Sequence, residues 1–502
     1  MRVRWPPSPK PRPGQLEVAE EMAAVLEVGE TVALDAPTGW GKTLTTLVVL
    51  KSLDLLPSVW LTRSLAVGSR VAEDAALLGL RVFTAAGRER TCLAVAQRDD
   101  VHEYCRMLRY RCPYFASLGS VGEVEYVSSY EELVAMGKER GFCPYYAQEF
   151  VMCRADVVVQ SYHRRRPCTR STVVDEAHNI VLPKECSMPV HMLNDVIVEL
   201  KRASAPEPVV RSLIRLKEYA EASEGAIDVS LYVGEDQLEE VRAVYRQALA
   251  AGVVTKLGRF LRIVTSDVVH VEGEPGGGML VGINAPRIVL PPHSVLLSGT
   301  LLPDIKDVLG VGAVVTVPRP RLKVYVTPWL TSRYGEFEEN IEGYVSLLKA
   351  LRLRFRRVLG FGSGRIIRVL SKRLNALVEG EITRIPSSWD GILLLKSRGR
   401  FSEGVDIPAD AVVMIGAPYL TPDVIQRLAN VYRRLGYERY WEMAGDVPML
   451  VTTLQCIGRA TRVPGARPTV ILADHRFLRH RESLSSYLEM EELGGLEQVK
   501  PG

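Results

Sequence analysis

A strand-like run, Glu30–Ala36, passes into Ala36, Pro37, Thr38, Gly39, Trp40, Gly41, Lys42 and Thr43, and a helical pattern follows over Lys42–Leu53. These residue types suit phosphate binding, although Ala36 stands where the general loop pattern has its first glycine. Backbone N–H groups at a helix start cradle phosphate oxygens, and the helix dipole adds positive potential. Gly39 and Gly41 allow close backbone approach. Lys42 is placed to reach the β and γ phosphates of ATP, and the Thr43 hydroxyl to hold Mg2+. The competing reading is a glycine turn opening an ordinary helix, which Gly-Lys-Thr directly after a strand disfavours. A second apolar run ends in Val173-Val-Asp-Glu-Ala-His178. There Asp175 can hold the same Mg2+, and Glu176 can polarise an attacking water as a general base. Alone, that run would pass for a surface turn.

The cysteines form a second cluster of candidate chemistry. Of eight, seven (Cys92, Cys105, Cys112, Cys143, Cys153, Cys168 and Cys186) lie within one stretch, and Cys456 stands apart. Eight in 502 residues is too sparse for a disulfide scaffold, so the clustering points to metal or cluster binding. The long gaps between the first four do not match the short paired spacings of a zinc ribbon. Spacing alone leaves an iron–sulfur cluster, a zinc site and plain thiols open.

The elements that must position these groups alternate. After a helix over 14–28, the pattern predicts strands at Glu30–Ala36, Ser58–Thr62 and Leu80–Thr84, with helices Lys42–Leu53 and Leu65–Leu78 between them. Strands Asp156–Gln160, Ser171–Val174 and Ser294–Leu297 belong to the same set. Such alternation implies a parallel α/β sheet. It lapses over about 88–154, the cysteine region. It lapses again over 203–285, where Ala203–Pro208 reads as a linker, two helices fall near 207–223 and 235–251, and Glu272–Gly278 is a glycine-rich break. Pro318–Pro328 reads as an interdomain linker. A second alternation follows: helix 340–354, strands Val358–Phe361, Gly391–Leu395 and Ala411–Ile415, helices 422–434 and 451–461, and strand Thr469–Leu472.

Composition bounds the class. Hydrophobic residues are 47% and charged residues 24%, which excludes wholesale disorder and fibrous classes. The net charge of +4 permits a local basic groove without suggesting a histone-like binder. Arginine outnumbers lysine 49 to 14, and Asn plus Gln total 15, a skew that fits a thermophilic source or biased base composition. No apolar run is long enough for a transmembrane helix, and the proline-rich start lacks a secretory h-region. The expectation is a cytoplasmic protein, nuclear in a eukaryote, with no membrane partner. Two basic patches, His163-Arg-Arg-Arg166 with Arg170 and Arg352, Arg354, Arg356 and Arg357, are candidates for nucleic-acid contact or simply solvated faces.

The second motif's Asp-Glu-Ala-His form resembles superfamily 2 helicases, and the remaining motifs follow in order. Pro13 and Gln15 lie where that superfamily reads adenine. Thr62-Arg-Ser64 resembles motif Ia, Ser298-Gly-Thr-Leu301 motif III, Gly399-Arg-Phe-Ser-Glu-Gly-Val-Asp-Ile-Pro408 motif V, and Gln455-Cys-Ile-Gly-Arg-Ala-Thr-Arg462 motif VI. Asp474-His-Arg-Phe477 resembles the segment after it. Gly141-Phe-Cys-Pro-Tyr-Tyr146, Ala155-Asp-Val-Val-Val-Gln-Ser-Tyr162 and Phe401-Ser-Glu-Gly-Val-Asp406 make the chain resemble the XPD, or Rad3-like, iron–sulfur DNA helicases over residues 13–477.

That resemblance implies two RecA-like parallel-sheet motor domains: the first over 1–88, 155–202 and 286–318, the second over 319–502. The first is interrupted by an iron–sulfur domain at 89–154 and a short helical arch-like insertion at 203–285. It implies Cys92, Cys105, Cys112 and Cys143 as ligands of a 4Fe-4S cluster, with Cys153 and Cys168 outside the pattern. It implies ATP and Mg2+ as cofactors, Arg459 and Arg462 as arginine fingers one helical turn apart, and Asp406 and Gln455 beside the nucleotide, Asp406 sharing its loop with Glu403 and Gly404. Arg63 and Tyr162 are the expected DNA contacts. The implied activity is ATP-dependent translocation on single-stranded DNA from 5′ to 3′ and unwinding of forked duplex in DNA repair, by a monomer with repair-protein partners. A double-strand translocase that never unwinds, a DEAH-type RNA helicase and a catalytically dead scaffold are the alternatives. The cysteine insertion argues against the first two, and the intact Lys42, Asp175, Glu176, Arg459 and Arg462 against the third.

Overall fold

A computed structural model of the chain describes residues 3–498 except 38, 64, 66, 96–100, 121–125, 163, 165–168, 274–276, 387, 400, 402–405, 462, 464 and 466. Among the expected site residues, Thr38, Glu403, Gly404 and Arg462 lie outside the described residues, as do Cys168 and most of the His163–Arg166 patch. The chain divides into two compact units, Met1–Leu301 with Leu309–Val317, and Leu302–Val308 with Pro318–Gly502.

The first unit contains β1 (Val32–Asp35), β2 (Ser58–Thr62), β3 (Val82–Thr84), β4 (Val157–Ser161), β5 (Ser171–Val174), β6 (Lys184–Pro189), β7 (Gly225–Ile227), β8 (Val268–Glu272), β9 (Met279–Asn284), β10 (Ser294–Ser298) and β11 (Ala313–Thr316). Seven of these make one sheet in the order β11-β1-β10-β5-β2-β4-β3, and every pairing is parallel. β1, β2, β5 and β10 are buried along their whole lengths, because helices cover both faces of such a sheet. Ligands of open parallel sheets bind outside the carboxyl ends of the strands. The Lys42–Ser52 helix and Asp175 leave the sheet at that end, from β1 and β5, with β10 between them.

The 203–285 insertion expected to be helical is larger and of mixed type. β6, β9, β8 and β7 form an antiparallel sheet, and helices Leu193–Arg202, Glu207–Ala222, Glu235–Ala250 and Leu257–Val264 share one apolar cluster with it, from Met188 to Leu280. The insertion thus begins near Lys184, upstream of the linker expected at Ala203. Its first strand pairs with a strand far along the chain, Lys184 with Asn284 and Pro189 with Met279, and no local pattern announces such a partner.

In the cysteine region the structure has helices Val101–Leu108, Tyr130–Arg140 and Pro144–Met152, with short helical turns at Arg109–Arg111 and Pro113–Ala116 after the first. A separate cluster that includes Leu133, Phe142, Ala147 and Val151 seats it on Phe83 of β3 and Val158 of β4.

The second unit has β12 (Leu322–Val326), β13 (Arg357–Gly362), β14 (Ala376–Val378), β15 (Gly391–Lys396), β16 (Ala411–Ile415), β17 (Thr469–Ala473) and β18 (Leu488–Glu492) in the order β14-β15-β13-β16-β17-β12-β18, all parallel. Both large sheets are therefore RecA-like. The Pro318–Pro328 stretch expected as a linker contributes β12, since its prolines flank the strand and leave every ladder N–H intact. The helix expected at 451–461 starts at Asp446. Pro448 lies in its first turn, where a missing N–H costs nothing.

Candidate nucleotide site and cysteine module

The loop after β1 is held from several sides. Ala36 N–H donates to Ser298 O of β10 at 3.1 Å. Gly41, with φ of 106°, precedes the helix Lys42–Ser52, and a Cβ there would stand 2.4 Å from Gln15 Nε2. Gln15 is buried; its Nε2 donates to Trp40 O at 2.8 Å and its Oε1 accepts from Arg12 N at 2.8 Å. Arg12 Nη1 donates to Gly39 O at 2.5 Å. The expected adenine-reading residue therefore also braces the phosphate loop, and Arg12, which no sequence signal marked, braces it too. Lys42 Nζ donates to Ala36 O at 2.8 Å and Pro37 O at 3.3 Å, across the concavity of the loop. Thr43 is half-buried in the first turn beside it.

Asp175 follows β5. Burial, reinforced by the neighbouring Glu176 charge and opposed by Lys42, pushes its carboxyl up to about 6. A carboxylate held this way at neutral pH is poorly compensated by protein alone and suits a cation. Glu176 sits at φ 49° and ψ 54°, a left-handed conformation costing roughly 1–2 kcal/mol for a non-glycine residue. Its Oε2 is buried without a hydrogen bond among the described residues. The nearest group is His178 Nδ1 at 3.5 Å. His178 Nδ1 also lies 2.9 Å from Ser298 Oγ and 3.2 Å from Thr300 Oγ1, so the histidine ties the second motif to the Ser298–Leu301 motif. The sequence named both motifs but gave no sign of this bridge.

Tyr162 and Arg63, expected at DNA, are both joined to the second motif. The Tyr162 hydroxyl donates to Asp175 O, with Glu176 O at 3.5 Å, and burial pushes its own pKa above the usual phenol range. It supports the strained Asp175-Glu176 turn from below. Arg63 is exposed, and its Nη1 donates to Asn179 Oδ1 at 3.0 Å.

Asp175→Asn is expected to stabilise the Mg2+-free, nucleotide-free protein while abolishing turnover. Above about pH 6 the folded state carries an ionised Asp175 that the unfolded state holds more easily, a cost on the order of 2–3 kcal/mol. The cost is complete above the folded pKa and fades as pH falls toward 4. Thermal midpoints at pH 7 and pH 4.5 check this. The variant gains several degrees at the higher pH and little at the lower.

In the second unit, Arg459 is buried on the helix Asp446–Thr461, and its carbonyl accepts from Ile407 N at 2.8 Å, joining motif VI to motif V. Gln455 is half-buried on that helix and Asp406 is exposed. Asp474 is fully buried. Burial works against its ionisation, but Arg476 overcomes this with Nε to Oδ1 at 2.9 Å and Nη2 to Oδ2 at 2.7 Å, holding the carboxyl below its usual range. Ser332 and Ala417 backbone N–H groups complete the shell, so Asp474 ties three loops together. Arg352 and Arg356 pair with Asp390, and Arg357 with Asp410, so the second basic patch is an ion-pair network at the start of β13. In the first patch, Arg170 pairs with Asp54, while Arg164 is half-buried over the Tyr145 ring at 4.9 Å.

The four expected cluster cysteines all lie in the described residues of this module. Cys92, Cys105 and Cys112 are half-buried and Cys143 is buried, and all four are free thiols. The Cys105 and Cys112 sulfurs act electrostatically on both Cys92 and Cys143. Burial pushes the Cys92 and Cys143 thiols up, while backbone N–H groups of Ala94 and Val95 at Cys92, and of Tyr145 and Tyr146 at Cys143, pull the other way. Cys112 and Cys143 each cap a helix whose next residue is proline, a position where its missing N–H is not needed. Such thiols, with amide donors aimed at the sulfur, fit an iron–sulfur cluster. Among the described residues no three His, Cys, Asp or Glu side chains are grouped around one point as ligands of a single metal ion. Cys153 is exposed and outside the group. No helix among the described residues is long and apolar enough to cross a membrane.

Residues 69–195 match the family DEAD_2, and residues 372–491 match the family Helicase C-terminal domain. The ATP-dependent DNA helicase XPD of Sulfolobus acidocaldarius is 25% identical over 554 residues, covering 93% of this chain and 96% of that protein. The general transcription and DNA repair factor IIH helicase subunit XPD of Arabidopsis thaliana is 25% identical over 221 residues, 34% of this chain and 29% of that one. A solved XPD helicase structure shares the fold with a TM-score of 0.69 at 22% identity, over 97% of this chain and 100% of that chain. Xpd4 of S. tokodaii does so with 0.62 at 18% identity, over 96% and 100%. Along nearly its whole length the chain is therefore similar to an XPD DNA helicase, and it shares the fold of two XPD structures.

Proposed function

We propose that the protein is an ATP-dependent DNA helicase that translocates from 5′ to 3′ on single-stranded DNA and opens forked duplex during DNA repair. The observation that carries this reading is the convergence of Lys42, Asp175 and Glu176 at the carboxyl end of one parallel sheet, with His178 linking them to Ser298 and Thr300. In the reaction, backbone N–H groups from Gly39 to Thr43 and the Lys42 ammonium bind the triphosphate. Thr43 and Asp175 would hold Mg2+, which would supply positive charge to the phosphates. Glu176 orients and deprotonates the attacking water, its buried Oε2 being free of hydrogen bonds among the described residues. Arg459 supplies positive charge as the transition state develops on the γ-phosphate, with Arg462 beside it in sequence. The His178 bridge passes the state of the catalytic turn to the Ser298–Leu301 segment. Cys92, Cys105, Cys112 and Cys143 hold a 4Fe-4S cluster, whose chemistry here is to cross-link the module that separates strands.

The test is unwinding by anaerobically purified protein on forks bearing only a 5′ or only a 3′ single-stranded arm. Strand separation on the 5′-armed fork alone is the expected result. ATPase stimulation by single-stranded DNA without separation of either fork would leave a translocase, and stimulation by RNA alone would leave an RNA motor.

A further inference from the structure

Tyr146 makes contacts that the motor motifs do not use. It lies in the first turn of the helix Pro144–Met152, three residues after Cys143. Its ring is fixed edge-on between Phe115, at 4.8 Å, and Tyr145, at 5.1 Å. A phenol hydroxyl has one proton to give and two lone pairs to accept with. Arg88 Nη2 donates to this hydroxyl at 3.2 Å. A guanidinium accepts nothing and a ligating thiolate has no proton to give, so the phenolic proton goes to the Cys105 sulfur, 3.8 Å away. The backbone N–H of Tyr146 meanwhile favours the Cys143 thiolate. One residue therefore acts on two of the four thiols, from two different groups. Those thiols sit on separate segments of the module, Cys105 in the helix Val101–Leu108 and Cys143 at the cap of the next but one long helix.

We propose that Tyr146 is a positioning residue for the iron–sulfur cluster, raising its reduction potential through the hydrogen bond from its hydroxyl to Cys105. The inference rests on the reading that the four cysteines hold such a cluster. Reduction adds negative charge that spreads onto the sulfurs, so a donor aimed at a ligating sulfur favours the reduced form. Arg88 strengthens the donor, because accepting from a cation polarises the O–H bond toward the sulfur.

The experiment is a mediator-controlled redox titration of the anaerobically purified full chain and of Tyr146→Phe, followed by visible absorbance and electron paramagnetic resonance, with iron per chain determined on the same samples. The phenylalanine keeps the ring stack and the backbone N–H and removes only the hydroxyl. The expected result is unchanged iron content and a lower midpoint potential, a change of roughly fivefold in the reduced-to-oxidised ratio at fixed potential. An unchanged midpoint in a variant with full iron content overturns the inference. Should Tyr146→Phe fail to retain iron, Phe115→Leu loosens the same stack without touching either sulfur. Iron kept in that variant supports the hydroxyl's role, and iron lost in both overturns it. A wild type without iron after reconstitution refutes the cluster reading itself and is told apart by the iron assay.

Discussion

Lys42→Ala lowers ATP turnover by roughly two to three orders of magnitude, the scale of losing one charge-stabilising donor at a reacting centre, and leaves single-stranded DNA binding largely intact. The folded protein tolerates the change for a structural reason. Lys42 Nζ donates to the carbonyls of Ala36 and Pro37 at 2.8 and 3.3 Å, contacts that tie the loop to itself. The helix behind it is anchored by Leu44, Leu47, Val48, Val49 and Leu50, all buried. Gln15 and Arg12 continue to brace the loop at Trp40 and Gly39. The same contacts imply that ATP must displace the lysine from two loop carbonyls before the ammonium can meet phosphate. Phosphate release with saturating single-stranded DNA, and anisotropy of a labelled oligonucleotide, measure the two properties separately. Turnover near the wild-type rate would remove the loop from the active site.

Cys143→Ser loses the brown chromophore and strand separation and keeps DNA-stimulated ATP hydrolysis. Serine is among the preferred residues for capping a helix N-terminus, so the start of Pro144–Met152 survives the exchange. Cys143 N–H still donates to Tyr114 O at 2.8 Å, and the Phe142, Ala147 and Val151 contacts to Phe83 and Val158 remain. What disappears is one thiolate of four, and with it the cross-link between turns that share few apolar contacts. The nucleotide residues stand on other strands with their own core, so hydrolysis persists. Cys153→Ser is the control, since Cys153 is exposed and apart from the group; it keeps iron and unwinding. Iron retained in Cys143→Ser but lost in Cys153→Ser would reverse the ligand assignment.

Chemistry that depends on neighbours in sequence was legible in the sequence alone. The phosphate loop needs glycines, a lysine and a threonine within eight positions between a strand and a helix, and the magnesium and base carboxylates need only adjacent places at a strand end. Six of the seven parallel strands of the first sheet, all but β11, were legible too, because burial on both faces writes such a strand as a short continuous apolar run. Tertiary structure decided what depends on partners far along the chain. β12 hid between prolines because its burial comes from β17 and β18, more than a hundred residues later. β6 hid because its partner is β9. Folding set the Tyr162 hydroxyl against Asp175 O, and it brought Asp390 and Asp410 to Arg352, Arg356 and Arg357. A hydroxyl or a guanidinium shows in sequence only what it can bond to. Which bond it makes is settled by the groups that chain closure brings within about 3 Å, at separations where local spacing carries no information.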